Sequence, residues 1–273
     1  MSQRILTLTR YLIYRLVTSL NGVFYLALTI AFYSFAFRTR TPEPDYFILV
    51  LGLFGGLASF FIALTVSSRA NEVKSAPFFV RLESRVEYLV AVFLASFVLG
   101  LLLQIVLMCV VLLFNEPMLT FGQALDIPPI WLSINILVIL LAMHASDFVA
   151  RGWSRVWIFG GIAFLLILGE YYDWFVGRIA EMMRNVAQSL SNPNTTQDLH
   201  GAANWLDGLE NNWADLLSSM VSWPFEATIE AVLQGHFTAG QAFGPAVMLI
   251  YATALFLIAA DLFASKDLYL LED

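Results

Sequence analysis

The chain has 273 residues, 59% of them hydrophobic and 13% charged, with 23 Phe and 7 Trp. A soluble domain of this size carries roughly twice that charge fraction, so many of these apolar side chains must face lipid. The formal net charge is −7, and no basic patch or run exists to suit a nucleic-acid partner.

Residues 1–16 place Ile5, Leu8, Leu12 and Leu16 on one helical stripe, with Arg4 and Arg15 off it. That spacing predicts an amphipathic helix lying on the inner membrane surface before the chain turns into the bilayer. Thr7, Thr9 and Arg10 interrupt the basic start ahead of a run of full span length, so no cleavable signal peptide is expected. A helix needs about 20 predominantly apolar residues to cross the hydrocarbon core, because only internal bonds satisfy its backbone there. Segments 16–37, 46–66, 88–114, 127–146 and 240–260 meet this plainly. Segment 156–176 is counted as the fifth span in chain order, although "VWIFGGIAFLLILG" is short and Glu170 and Asp173 follow it. Tyr171, Tyr172 and Trp174 read as an aromatic belt at its outer end.

Orientation follows the basic residues. Arg4, Arg10 and Arg15 precede span one, and Arg69, Lys74, Arg81 and Arg85 lie between spans two and three. Arg151 and Arg155 follow span four, and Lys266 follows span six. Both termini are therefore expected in the cytoplasm, in a multi-pass protein of the inner (plasma) membrane. Segment 177–239 falls outside and carries two helical patterns, Ile179/Met183/Val186/Leu190 and Leu206/Leu209/Trp213/Leu216/Met220. With "SNPNTTQD" as the turn between them, it reads as a helical cap. The expected fold is one all-α transmembrane domain over residues 1–273, with six spans, the N-terminal amphipathic helix and the external cap.

Polar residues inside spans are functional candidates, since hydrocarbon is a costly place for them. Asn21, Gln104, Asn135 and Glu170 are the candidates for a translocation path, with helix–helix gluing the competing role of the three amides. "GLFGG" from Gly52 to Gly56, and Ser96 to Gly100, offer small-xxx-small faces for contact within the chain or with a second copy. Cys109, the single cysteine, reads as a small apolar filler. His144, near Ser146 and Asp147, reads as capping or pairing locally. His144, His200 and His236 lack metal-ligand spacing. No nucleotide-binding loop and no nucleophile elbow occurs, so no catalytic residue, metal or cofactor is assigned to the chain.

"RLESRVEYL", Arg81 to Leu89, alternates Arg81, Glu83, Arg85 and Glu87 at the mouth of span three. On a helix Arg81 and Arg85 lie within about 40° of each other, with both glutamates opposite. The stretch reads either as a solvated helix start or as a two-sided surface, basic toward lipid phosphate or a helix and acidic toward a protein. "SRVEYLVAVFLASFVLGLLLQIVL" resembles the start of the third span in the ABC type-2 permease family. "SSRANEVKSAPFFVRLESR" sits where that family places its coupling helix. "NEVKSAPFF" carries Glu72 but lacks the glycine of the family's Glu-x-Gly-Thr run. The resemblance implies a cytoplasmic coupling loop over 67–87, with Glu72, Lys74, Phe78, Phe79, Arg81 and Glu83 facing a separate ATP-binding subunit. It further implies a second permease copy or homologue, ATP held by the partner, and an exporter whose own chain is not an enzyme. Few ionisable residues lie in the spans, which suits an apolar or amphipathic cargo. Two rivals stay open: a membrane scaffold or accessory subunit, and an intramembrane enzyme, which would need paired polar groups at one depth.

Overall fold

A computed structural model describes residues 2–39, 41–71, 84–149, 153–189, 197, 199–204 and 212–265. The long helices are α1 (Ser2–Val17), α2 (Leu20–Ala36), α3 (Pro44–Ala70), α4 (Arg85–Asn115), α5 (Phe121–Ala145), α6 (Trp153–Ser189), α7 (Asn212–Gln234) and α8 (Phe243–Ser265). No strand occurs among the described residues. Two compact units form, Met1–Arg155 with Pro224–Asp273, and Val156–Trp223.

In the first unit α3, α4, α5 and α8 are each long and apolar enough to cross a membrane. They match predicted spans two, three, four and six. Span one differs in form: α1 and α2 meet at a 70° bend and qualify only as a broken pair. The hydroxyls of Thr18 and Ser19 donate to the carbonyls of Tyr14 and Leu16, at 2.8 and 2.6 Å. Arg69 of α3 donates to the Arg15 carbonyl between them, at 3.3 Å. Three carbonyls at the end of α1 are thus satisfied without the helix continuing. Gly22 permits the bend, because a Cβ there would lie 2.6 Å from the Val17 oxygen and 2.7 Å from that of Leu16. The predicted stripe of α1 is its packed side: Leu8, Leu12 and Leu16 are buried, and α1 packs along α4.

Local signals set the other helix ends. Pro44 occupies the first turn of α3 beside Asp45, where a missing N–H is harmless and a negative charge is favourable. The Ser84 hydroxyl accepts from Val86 N–H at the start of α4. Glu116, at φ 47°, turns the chain left-handed at its end. Thr120 and Gln123 form a reciprocal capping box ahead of α5. α3 packs against both α4 and α5, and α8 against α5.

Two apolar clusters stack along this bundle. One joins Leu12, Leu16, Ile62, Tyr88, Leu89, Met143, Phe148 and Phe263 at the end where Arg15, Arg69 and Arg85 collect. The other joins Phe37, Phe47, Leu51, Phe54, Leu107 and Trp131 at the opposite end. There Asn115 donates to the Phe37 carbonyl at 2.6 Å and Tyr46 donates to that of Ala36 at 3.1 Å, closing α2.

The second unit departs from the expected outline. α6 does not stop at the predicted span end near 176; it runs unbroken for 37 residues to Ser189, about 55 Å at the α-helical rise. Among the described residues its apolar stretch is Arg155–Ile167. Arg178 pairs with Glu181 at 2.8 Å along this helix, and Arg184 reaches the Asn204 amide oxygen at 3.4 Å. Most of the predicted "SNPNTTQD" turn lies outside the described residues.

Candidate functional site

The helix α3 reads "LGLFGGLAS" from Leu51 to Ser59, and these small residues let two neighbours come close. A Cβ on Gly55 would overlap the Gln104 amide of α4, and one on Gly100 of α4 would overlap the Ser59 hydroxyl. On the α5 side, Gly52 lies 3.4 Å from the Trp131 ring and Gly56 3.3 Å from Ile134, measured from a built Cβ. The small-residue faces are therefore spent on contacts within the chain.

Between the two apolar clusters these three helices share a chain of hydrogen bonds. Gln104 Nε2 donates to the Leu51 carbonyl at 3.0 Å, and Asn135 Nδ2 donates to Gln104 Oε1 at 2.6 Å. Ser59 Oγ donates to Asn135 Oδ1 at 3.3 Å. All three side chains are fully buried. Each interhelical bond of this type contributes about 0.6 kcal/mol on average in a membrane protein, and up to about 1.7. Their larger effect is on register, because sliding one helix would leave amides unpaired in hydrocarbon. A turn farther along, Trp131 Nε1 donates to the Ile48 carbonyl at 3.2 Å, which further ties α5 to α3.

The end that gathers the arginines is bound by side chains reaching backbone. Tyr88 donates to the Ala70 carbonyl at 3.3 Å, joining the start of α4 to the end of α3. Arg85 donates to the Ala264 carbonyl at 3.2 Å, placing a cation at the C-terminus of α8 where the helix dipole favours it. His144 Nε2 lies 3.0 Å from the Leu255 carbonyl. This contact runs from α5 to α8. Arg155 pairs with Asp147. Glu87, at the third position of α4, is only 2% exposed, and its Oε2 has no hydrogen-bond partner among the described residues. A solvated acidic face at this position is thus replaced by a buried carboxylate in the first helical turn.

A groove of about 600 Å³ runs beside α3, lined by Gly52, Gly56, Phe60, Ile134, Phe225 and Met248 among others. Its one hydroxyl, on Thr228, is held by the Pro224 carbonyl at 2.6 Å. A second pocket, of about 410 Å³, lies at the elbow between α1 and α2 and includes Asn21.

Of the residues singled out from sequence, Gln104 and Asn135 come together and Asn21 stands apart from them. Glu170 lies on α6, in the second unit. Glu72, Lys74, Phe78, Phe79, Arg81 and Glu83 lie outside the described residues. Cys109 is exposed on the bundle surface. Ser59, Trp131 and Tyr88 were not anticipated; a polar atom in an apolar span is the signal that marks each. These helices define a multi-pass, all-α membrane protein. No family model, curated protein or solved structure matches the chain.

Proposed function

We propose that this chain is the membrane-spanning permease subunit of an ATP-driven exporter, working as a dimer with separate ATPase subunits docked on the 67–87 loop. The observation that carries the reading lies at the base of that loop. Ala70 and Tyr88, one on each side of segment 72–83, are bonded to each other. A loop with joined ends is a handle: displacement by a docked subunit passes to α3 and α4 together. Those helices are bound to α5 by the amide chain, so the load moves three helices as one body. Such a packed element with discrete positions is what coupling between sites requires. The sequence resemblance over residues 67–96 supports the same reading, with both termini in the cytoplasm and the inner (plasma) membrane as the location.

The cargo in this reading is apolar or amphipathic. The two deep amides of α4 and α5 are consumed inside the chain, and the large groove is almost wholly apolar. Lipids should then stimulate the ATPase of the assembled complex, while charged sugars or metals should not. A scaffold or accessory role is the second reading, favoured by the same internal consumption of polar groups, which leaves few side chains for a polar path.

The test is purification of the tagged chain from its native membrane in mild detergent, with identification of what accompanies it. A stoichiometric partner bearing a nucleotide-binding loop supports the transporter, and Glu72 or Arg81 substitutions should then uncouple ATPase activity from transport. Recovery with other membrane subunits and no ATPase moves the assignment to the scaffold.

A further inference from the structure

Of the three span amides, Gln104 and Asn135 satisfy each other, whereas the Asn21 side chain, half-buried, meets no hydrogen-bonding group of the described residues. Its amide is therefore open to a partner from outside the chain. The pocket it lines shows which kind. Arg69, Ser68 and Thr65 line it together with the apolar Phe61 and Leu64, all five at helical spacing on one face of α3. The Ser68 hydroxyl is exposed and, like Asn21, meets no group of the described residues. Arg69 is fixed in place by its bond to the Arg15 carbonyl. The Thr65 hydroxyl is held by Tyr25, at 2.6 Å, and by the Phe61 carbonyl, at 2.9 Å.

A guanidinium, an amide and a hydroxyl lining one pocket with two apolar side chains suit an anion that carries a hydrocarbon tail. The surroundings agree in sign. α1, which leads into the elbow, carries Arg4, Arg10 and Arg15 and no carboxylate; the first acidic residue of the chain is Glu43. The same helix exposes Leu6, Tyr11, Tyr14 and Val17, as a helix lying in a lipid interface does. An arginine near a membrane surface attracts anionic lipid by about 1 kcal/mol.

We propose that the elbow pocket binds the phosphate of an anionic phospholipid, with Arg69, Asn21 and Ser68 as its donors and the first methylenes lying on Phe61 and Leu64. The inference requires α1 to lie at the membrane surface. It does not depend on an ATPase partner, and holds equally for a transporter or a scaffold.

Native mass spectrometry of the full chain in detergent tests it, with phosphatidylglycerol and phosphatidylcholine of identical acyl chains offered together. Phosphatidylglycerol should be retained preferentially. Arg69→Gln should weaken its retention about tenfold, the loss of one charge-assisted bond. Ser68→Leu should do the same by filling the pocket while leaving the Arg69–Arg15 bond intact, so a folding defect in the first variant does not decide the matter. Arg178→Gln, in the second unit, should retain lipid as the unaltered chain does. Equal retention of both lipids, or undiminished phosphatidylglycerol in the Arg69 and Ser68 variants, overturns the proposal. Full displacement of the lipid by excess inorganic phosphate also overturns it, by making the pocket a site for the free anion.

Discussion

A buried amide in a membrane span has few partners, and Gln104 illustrates how much follows from its choice. Its Oε1 accepts from Asn135 and its Nε2 donates to Leu51. Gln104→Leu therefore strands Asn135 Nδ2, and should destabilise the protein by about 1–3 kcal/mol. Adding Asn135→Leu should recover much of that, because both partners are then apolar and Ser59 can turn to a backbone carbonyl of its own helix. Melting temperatures of the two single variants and the double variant in one detergent form the cycle; strict additivity would mean that the bond has no weight. Glu87 is the opposite case, a carboxyl side chain with almost no exposure and one oxygen that meets no partner among the described residues. Glu87→Gln keeps the shape and removes an ionisable group from a nearly closed site, so the melting temperature of the isolated chain should rise, by about 1 kcal/mol of stability. A fall would show that the carboxylate is held by a partner the neutral amide fails to satisfy.

At the scale of elements, the elbow between α1 and α2 depends on one residue. Gly22→Ala would set a methyl against two backbone oxygens that cannot rotate away. It should cost about 1–3 kcal/mol and loosen α1, read as a lower melting temperature together with faster proteolysis near Thr18. The same change at Gly161, where a Cβ meets nothing within 4 Å, should be harmless. Elements were legible in the sequence to the extent that their signals were local. The stripe on α1 and the long apolar runs gave α1, α3, α4, α5 and α8, since periodicity and length are properties of neighbouring residues. The end of α6 was not legible. Glu170 and Asp173 mark a change of medium, but no proline interrupts the helix between Trp153 and Ser189, so the backbone continues where hydropathy changes. Partner choice was equally hidden. His144 meets a carbonyl 111 positions away, and "GLFGG" does not say whether its neighbour is α5 of the same chain or a second copy.

For the whole molecule, the arginine distribution predicts one orientation, and the chain supplies a convenient test. With Cys109 replaced by Ser, single cysteines at Ser2 and Pro42 should label from opposite sides of the membrane with an impermeant maleimide, Ser2 from the cytoplasm. Labelling of both from one side would show that the α1–α2 pair re-enters rather than crosses. At this scale the candidate site was the least legible feature, because the amides of Gln104 and Asn135 stand 31 positions apart and only the packing of α4 against α3 and α5 brings them to one depth. That packing also has a consequence for descent. Residues 55, 59, 100, 104 and 135 form one steric and polar unit, which does not tolerate change one member at a time. Among diverged relatives, an alanine at 55 should come with a shorter side chain at 104, and loss of the amide at 104 with loss of its partner at 135. Substitutions at these positions should therefore be inherited in groups, while the lipid-facing surface around Cys109 drifts singly.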